Sequence, residues 1–290
     1  MDLGSLISIL LGGMAAGMVL FIVSVGLSVT MGLMGFVNLA HGAFAMLGGY
    51  AIVFAMKSWG LPFAAALALG FVAIAAISLL FERLLYAPLY RASELDQVLL
   101  TIGLTFAITA TVTLGVGPET QTVVLPEWLS GQTDLGFLQY RTYSLVVIVA
   151  GCALMLALWL GFERTRIGAR IRAAVDNRRM AQSMGVDVRR LFALTFALGS
   201  GLAAVGGGLG AEILGLDPQY PFRYLAYFLI VVAVGGLGRI SGVFFAAILI
   251  GILDFVLKIN FPKGGTLFIY ALALILLLAR PQGLFGKRGP

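Results

Sequence analysis

Long apolar runs alternate along the chain with short stretches that carry charges or prolines. The runs lie near 6–27, 36–56, 62–81, 97–117, 142–162, 191–214, 224–238, 241–257 and 266–279. A bilayer core takes about 20 apolar residues per helix, so most of these runs predict a full crossing. The 224–238 run is short for a crossing and predicts a half-helix or part of a longer, broken one. Lipid leaves no solvent for open backbone, so the expected fold class is all-α. The pattern predicts a polytopic transmembrane bundle of about eight to ten segments, some interrupted by glycine.

Composition agrees. Of 290 residues 60% are hydrophobic and 11% charged, with mean hydropathy +1.03. A soluble domain is nearer about a quarter charged. Cys152 is the single cysteine, which excludes an internal disulfide. The start MDLGSLISILLGG lacks the basic residues of a signal peptide, so the first run is expected to be a retained helix.

The net charge of +6 does not point to nucleic acid once its location is considered. Eight arginines fall in residues 163–190: Arg164, Arg166, Arg170, Arg172, Arg178, Arg179, Arg189 and Arg190. Arg83 and Arg91, then Arg280, Lys287 and Arg288, mark two further basic segments. The 118–141 loop instead carries Glu119, Glu127 and Asp134 against Arg141. The positive-inside rule puts the N-terminus outside and the C-terminus in the cytoplasm. Trp128, Phe137, Tyr140 and Tyr143 suit an interfacial aromatic belt, and the outer loop reads as a lipid-surface connector before it reads as a docking surface.

The stretch FVNLAHGAFAMLGGY holds the single histidine, His41, with Asn38 three residues earlier. On an ideal helix these two share a face with Ala45 and Gly49, while Gly42, Gly48 and Gly49 allow close approach or a break. Two readings stand side by side. Asn38 and His41 are polar glue within the bundle, or they mark a broken helix on the translocation pathway. Glu212 and the glycines Gly235, Gly236 and Gly238 are further pathway candidates. Asp254 and Lys258 have the spacing of a local ion pair, and Arg239 reads as an inner-interface residue. The glycine-interrupted segments 36–55 and 234–253 suggest an internal repeat.

Within 163–190, ERTRIGARIRAAVDNRRMAQSMGVDVRR, Asp176-Asn177 predicts a cap for a short helix with Met180, Ala181 and Met184, ended by Gly185. Such a helix either anchors the loop to anionic lipid or meets a cytosolic partner, with Ala181 and Gly185 allowing close approach.

Ala181-x-x-x-Gly185 resembles the alanine–glycine core of the loop by which ABC importer permeases engage their ATPase, with Met180 where those loops carry glutamate. The whole chain resembles the LivH-type permeases of branched-chain amino acid ABC importers. Three blocks carry the likeness: GFVNLAHGAFAMLGGY at 35–50, TRIGARIRAAVDNRRMAQSMGVDVRRL at 165–191 and VVAVGGLGRISGVFFAAILIG at 231–251. The resemblance implies one permease domain over 1–290 with 163–190 as a coupling loop, in which Arg172, Asp176, Asn177, Ala181 and Gly185 serve coupling. It implies no enzyme activity, cofactor or metal, with ATP bound by two separate subunits. It further implies a second related permease, as heterodimer or homodimer, a periplasmic binding protein, and residence in the bacterial inner membrane. The sequence carries no G-x-x-x-x-G-K-[ST] phosphate loop, and GGLGRISG lacks its lysine. The rival readings are an ABC permease for urea or short amides, an ion-coupled carrier using His41 or Glu212, and, more weakly, a channel.

Overall fold

The computed structural model describes residues 3–35, 38–90, 92–136, 138–262 and 264–279. The expectations placed on Arg91, Phe137, Arg280, Lys287 and Arg288 lie outside the described residues. The helices of the first half are α1 (Leu3–Met34), α2 (His41–Trp59), α3 (Phe63–Phe81), α4 (Ala87–Leu89) and α5 (Glu94–Val116), with a π-helical turn at Glu82–Tyr86 joining α3 to α4. Then come α6 (Glu127–Ser130), the hairpin β1 (Gln132–Asp134) and β2 (Gln139–Arg141), and α7 (Thr142–Arg164). The second half holds α8 (Arg166–Asp176), α9 (Arg178–Ser183), α10 (Val188–Gly210), α11 (Tyr220–Gly235), α12 (Ile240–Asn260) and α13 (Gly265–Ala279).

Every expected apolar run contains a helix among the described residues. Among the described residues six stretches are long and apolar enough to span a bilayer: Gly4–Leu33, Phe63–Leu89, Glu94–Val116, Thr142–Arg164, Val188–Gly210 and Ile240–Asn260. The remaining three runs form α2, α11 and α13. Local chemistry sets several ends. Ser93 and Asp96 form a reciprocal capping box on α5, with Asp96 N–H donating to Ser93 Oγ at 3.2 Å and Ser93 N–H to Asp96 Oδ2 at 3.3 Å. Antiparallel pairing of Thr133 with Tyr140 builds the small hairpin, which no periodicity in the loop foretold.

α1 is the mast of the bundle. Met18, Val19, Phe21, Val23, Val25 and Leu27 are fully buried, as a helix apolar on every side must be. Between lipid-solvated helices the gain comes from close packing rather than from escape from water, so small residues mark the crossings. A Cβ on Gly13 would lie 2.5 Å from Ile252 Cα of α12. A Cβ on Gly199 would lie 2.9 Å from Gly26 O, and one on Gly26 would collide with Gly199 in turn. α2 seats on α10 in the same manner, through Gly48 on Ala204 and Gly207 on Ala45.

An inverted repeat organises these contacts. α1 and α10 are antiparallel, since Val19 meets Gly210 and Val23 meets Gly206 while Gly26 meets Gly199. α1 packs on α12 as α10 packs on α3, and α11 lies on α1 as α2 lies on α10. The entries to α2 and α11 match in detail. Asn38 Oδ1 accepts from Ala40 N at 3.1 Å, and Asp217 Oδ1 accepts from Gln219 N at 2.8 Å. The helix-opening amides of His41 and Tyr220 donate to the carbonyls of Asn38 and Asp217 at 3.3 and 3.0 Å. The repeat therefore relates 38–41 to 217–220, which corrects the expected pairing of 36–55 with 234–253.

Candidate functional site

The cluster around Asn38 and His41 is assembled differently from its expected single helical face. Asn38 precedes α2, and its buried Oδ1 takes a second hydrogen bond from Tyr86 Oη at 3.0 Å. His41 opens α2, and its Nε2 lies 3.0 Å from Val23 O. A carbonyl only accepts, so that contact puts the ring hydrogen on Nε2. Val23 stands eleven residues before Met34, the end of α1. At a rise of about 1.5 Å per residue, α2 therefore begins about 16 Å inside the bundle from that end. There it meets the start of α11, where a Cβ on Gly42 would lie 3.2 Å from Pro221 Cα. Ala45 faces Gly207, and Gly49 faces Leu216, whose Cδ2 would lie 2.9 Å from an added Cβ. These residues form the seam between the halves of the repeat. Asn38 Nδ2, His41 Nδ1 and Tyr220 Oη have no hydrogen-bond partner there.

The Glu212 carboxylate is engaged with Arg141. Its Oε1 accepts from Arg141 Nη2 at 2.7 Å, beside the hairpin and far along the chain from His41. Asp217 pairs with Arg223 at 2.7 Å. Asp254 accepts from Lys258 at 2.7 Å as its spacing predicts, and also from Tyr227 Oη at 2.8 Å.

The arginine-bearing end brings together two groups that the sequence left separate. Thr165 caps α8 by accepting from Gly168 N at 3.1 Å, and Asn177 caps α9 by accepting from Met180 N at 2.9 Å. The amphipathic α8 buries Gly168, Ile171 and Ala174 and leaves Arg166 and Arg170 exposed. Ile171, Ala174 and Ala181 join Leu33, Val188, Leu191 and Phe192 in one apolar cluster under the ends of α1 and α10. Ala181 is thus 4% exposed and faces the bundle, while Met180 at 62% and Met184 at 79% face outward. That reverses the expectation that Ala181 offers a partner close approach. Gly185 has open space around it and a φ of +82°, so the chain reversal after α9 is what demands glycine. Val186 N donates to Ala181 O at 3.0 Å and Gly185 N to Gln182 O at 3.0 Å, closing a Schellman motif.

A cavity of about 460 Å³ lies between α8 and the turn that joins α11 to α12. Arg172 and Asp176 line it from α8, Gly236, Gly238 and Arg239 from the turn, and Val29 from α1. Gly236 and Gly238 hold φ of +89° and +70°, so this glycine pattern is a tight turn between helices. The turn is tied to α1: Gly238 N donates to Ser28 Oγ at 3.0 Å and to Ser28 O at 3.2 Å. Arg172 donates to Phe162 O and lies 3.9 Å from Glu163, so a cation caps the carbonyl end of α7. The pathway candidates Gly236 and Gly238 and the coupling candidates Arg172 and Asp176 therefore line one cavity from opposite sides.

Tyr86 and Ser28 were not singled out from the sequence. Tyr86 sits forty-eight residues from Asn38, and Ser28 is one hydroxyl inside an apolar run, so no local pattern marks either. The arginine and apolar alternation of 166–176 did carry a signal for α8, a period-3.6 stripe through Ile171 and Ala174.

Comparison with known proteins gives this architecture a family. The family model described as "Branched-chain amino acid transport system / permease component" matches residues 9–279. The LivH permease protein of the high-affinity branched-chain amino acid transport system of Escherichia coli K12 is 27% identical, with 95% of this chain and 94% of that protein covered. The BraD permease protein of Pseudomonas aeruginosa is 25% identical over 96% and 95% of the two chains. The LivM permease protein of Escherichia coli K12 is 25% identical over 94% of this chain and 69% of its own. No solved structure matches. With its spanning helices, the chain is a multi-pass membrane permease and not an enzyme. Matched over nearly all its length, it belongs to the permease-component family of branched-chain amino acid transport systems.

Proposed function

We propose that this chain is one of two permease subunits of an ATP-binding-cassette importer that carries branched-chain or related amino acids inward. It forms one membrane domain, with the arginine-bearing end in the cytoplasm and the N-terminus outside. A second, related permease completes the path, two separate subunits bind and hydrolyse ATP, and a binding protein delivers substrate from the periplasm. The chain itself needs no cofactor.

The observation that carries this reading is the shared cavity at the arginine end. There α8 and α9 form a folded platform with Met180 and Met184 outermost, and the same α8 lines one cavity with the Gly236–Arg239 turn. A loop that only anchored basic residues to lipid has no need of two capped helices with a common apolar core. The cavity carries both charge signs, from Asp176 and from Arg172 and Arg239, which suits a zwitterion leaving toward the cytoplasm. An ion-coupled carrier finds no support in its two candidate residues. Glu212 is paired with Arg141, and His41 is bound to Val23 O within the seam.

Reconstitution tests the proposal. In proteoliposomes, the chain with its co-purified permease and ATPase partners is expected to accumulate leucine-like substrates when binding protein and ATP are both supplied. ATP hydrolysis by the purified chain alone, or uptake driven by an ion gradient without ATP, refutes it.

A further inference from the structure

A second cavity at the arginine end, of about 390 Å³, belongs to neither the platform's contact face nor the shared vestibule. Three guanidinium groups from three elements line it: Arg83 from the π-helical turn, Arg178 from the start of α9 and Arg189 from the first turn of α10. Like charges so placed repel, and a cation in the first turn of a helix also opposes the helix dipole. Among the described residues none of the three has a carboxylate partner. Two acids beside these arginines are already engaged. Glu82, buried beside Arg83, accepts from Tyr90 Oη at 2.5 Å, and Asp187 pairs with Arg190 at 2.9 Å. Burial first, and then the bond to Glu82 and its charge, push the Tyr90 hydroxyl up, so it stays a donor and keeps that carboxylate occupied.

The site is also braced. The Arg178 guanidinium lies 4.8 Å above the Phe192 ring, and Tyr90 packs edge-on against Phe192 with centroids 5.5 Å apart. A stacked guanidinium keeps its in-plane donors free for a bidentate acceptor. The geometry points to a binding site for the phosphate group of an anionic phospholipid. What favours a lipid over a free anion or an acidic protein surface is an exposed apolar strip on the helical stretch that leads to Arg83. Ile77, Leu80 and Leu84 are exposed along the spanning stretch that leads to Arg83, and acyl chains can lie along them while the headgroup enters. This site is independent of the importer reading and fails or stands separately from it.

The test uses the full chain purified in mild detergent, with phosphatidylglycerol titrated against phosphatidylcholine and bound lipid counted by native mass spectrometry. Each arginine at a bilayer surface is worth about a fivefold factor in affinity. The variant R83Q/R178Q/R189Q is therefore expected to bind phosphatidylglycerol about a hundredfold more weakly. Each single Gln variant is expected to lose about fivefold, so an unstable triple variant leaves the test intact. The charge-matched R164Q/R166Q/R170Q, whose arginines are exposed elsewhere on the same end, is expected to retain wild-type affinity. Equal losses in both triple variants overturn the proposal in favour of diffuse charge. Full protection of the cavity by inorganic phosphate at matched concentration overturns it in favour of a free anion. Unchanged lipid binding with lost ATPase assembly overturns it in favour of a protein contact.

Discussion

Asn38→Ala separates bundle glue from pathway. The wild-type Oδ1 accepts from Tyr86 Oη at 3.0 Å and from Ala40 N at 3.1 Å, with the residue 2% exposed. Removing the acceptor takes one hydrogen bond from each of two buried donors, and each loss costs roughly 1–3 kcal/mol. Tyr86 has a further interaction to fall back on, so the expected loss of stability is about 2–4 kcal/mol. Tyr86→Phe leaves Asn38 with its Ala40 bond and costs only about 1 kcal/mol. The two changes share one bond, so their double variant is expected to lose about 1 kcal/mol less than the sum. Asn38→Asp keeps both acceptor contacts, replaces an amide nitrogen that bonds nothing, and copies Asp217 of the second half; it is expected to be milder than Ala.

The assay pairs denaturant unfolding of the assembled transporter with uptake per folded complex. Uptake per folded complex is expected to stay within about twofold of wild type while stability falls by the amount above. A tenfold loss of uptake with unchanged stability would falsify the glue reading and return Asn38 to the substrate path. Additivity of the two single variants would show that the Tyr86 bond contributes nothing.

Gly207→Leu drives a side chain into the Ala45 backbone, at more than about 3 kcal/mol, and is expected to abolish monodisperse protein in size-exclusion chromatography. Gly42→Ala only presses Pro221 at 3.2 Å and is expected to leave expression and uptake nearly intact by the same measurement. Gly185→Val forces a branched residue to φ +82°, and hydrogen exchange over 178–186 is expected to rise while ATP hydrolysis per molecule transported increases. Unaltered exchange and unaltered coupling would remove α9 from the transmission route. Arg141→Ala breaks a half-exposed pair and is expected to cost under about 1 kcal/mol in thermal unfolding, with uptake preserved.

The nine apolar helices were legible because bilayer thickness imposes one length on every crossing, and each run meets that length or falls visibly short. The entry to α2 was not legible in the same way. A run such as 36–56 is apolar enough to continue as helix, and its helix starts only at His41, where Val23 holds the His41 ring and Tyr86 holds Asn38 before it. Those partners are distant in sequence, so spacing alone put Asn38 on a helical face that does not exist. Ala181 was misjudged for a related reason. In a six-residue helix the buried side is chosen by the neighbours, here Leu33, Val188 and Phe192, and not by the helix's own period. Glycine patterns do not single out the repeat, since close packing places glycine in α1, α2, α10 and α12 alike. The true relation survives as one polar residue before each re-entering helix, Asn38 and Asp217.

On the proposed reading, the same bonds give force a short route from the platform to the seam. α8 is fixed to the end of α7 through Arg172 and to the foot of α1 through the cluster containing Leu33. The Gly236–Arg239 turn, across the cavity from α8, is fixed to α1 at Ser28. Five residues up the same helix, Val23 holds His41 at the start of α2, against Pro221 at the start of α11. Between helices packed on glycine backbones there is little compressible side chain to absorb a displacement. A push on α9 therefore reaches the α2–α11 seam as a shift of α1 against α10, at a crossing where Gly26 and Gly199 allow sliding but no closer approach. That geometry asks the seam to open by relative motion of the two halves of the repeat, which is what alternating access around an inverted repeat requires.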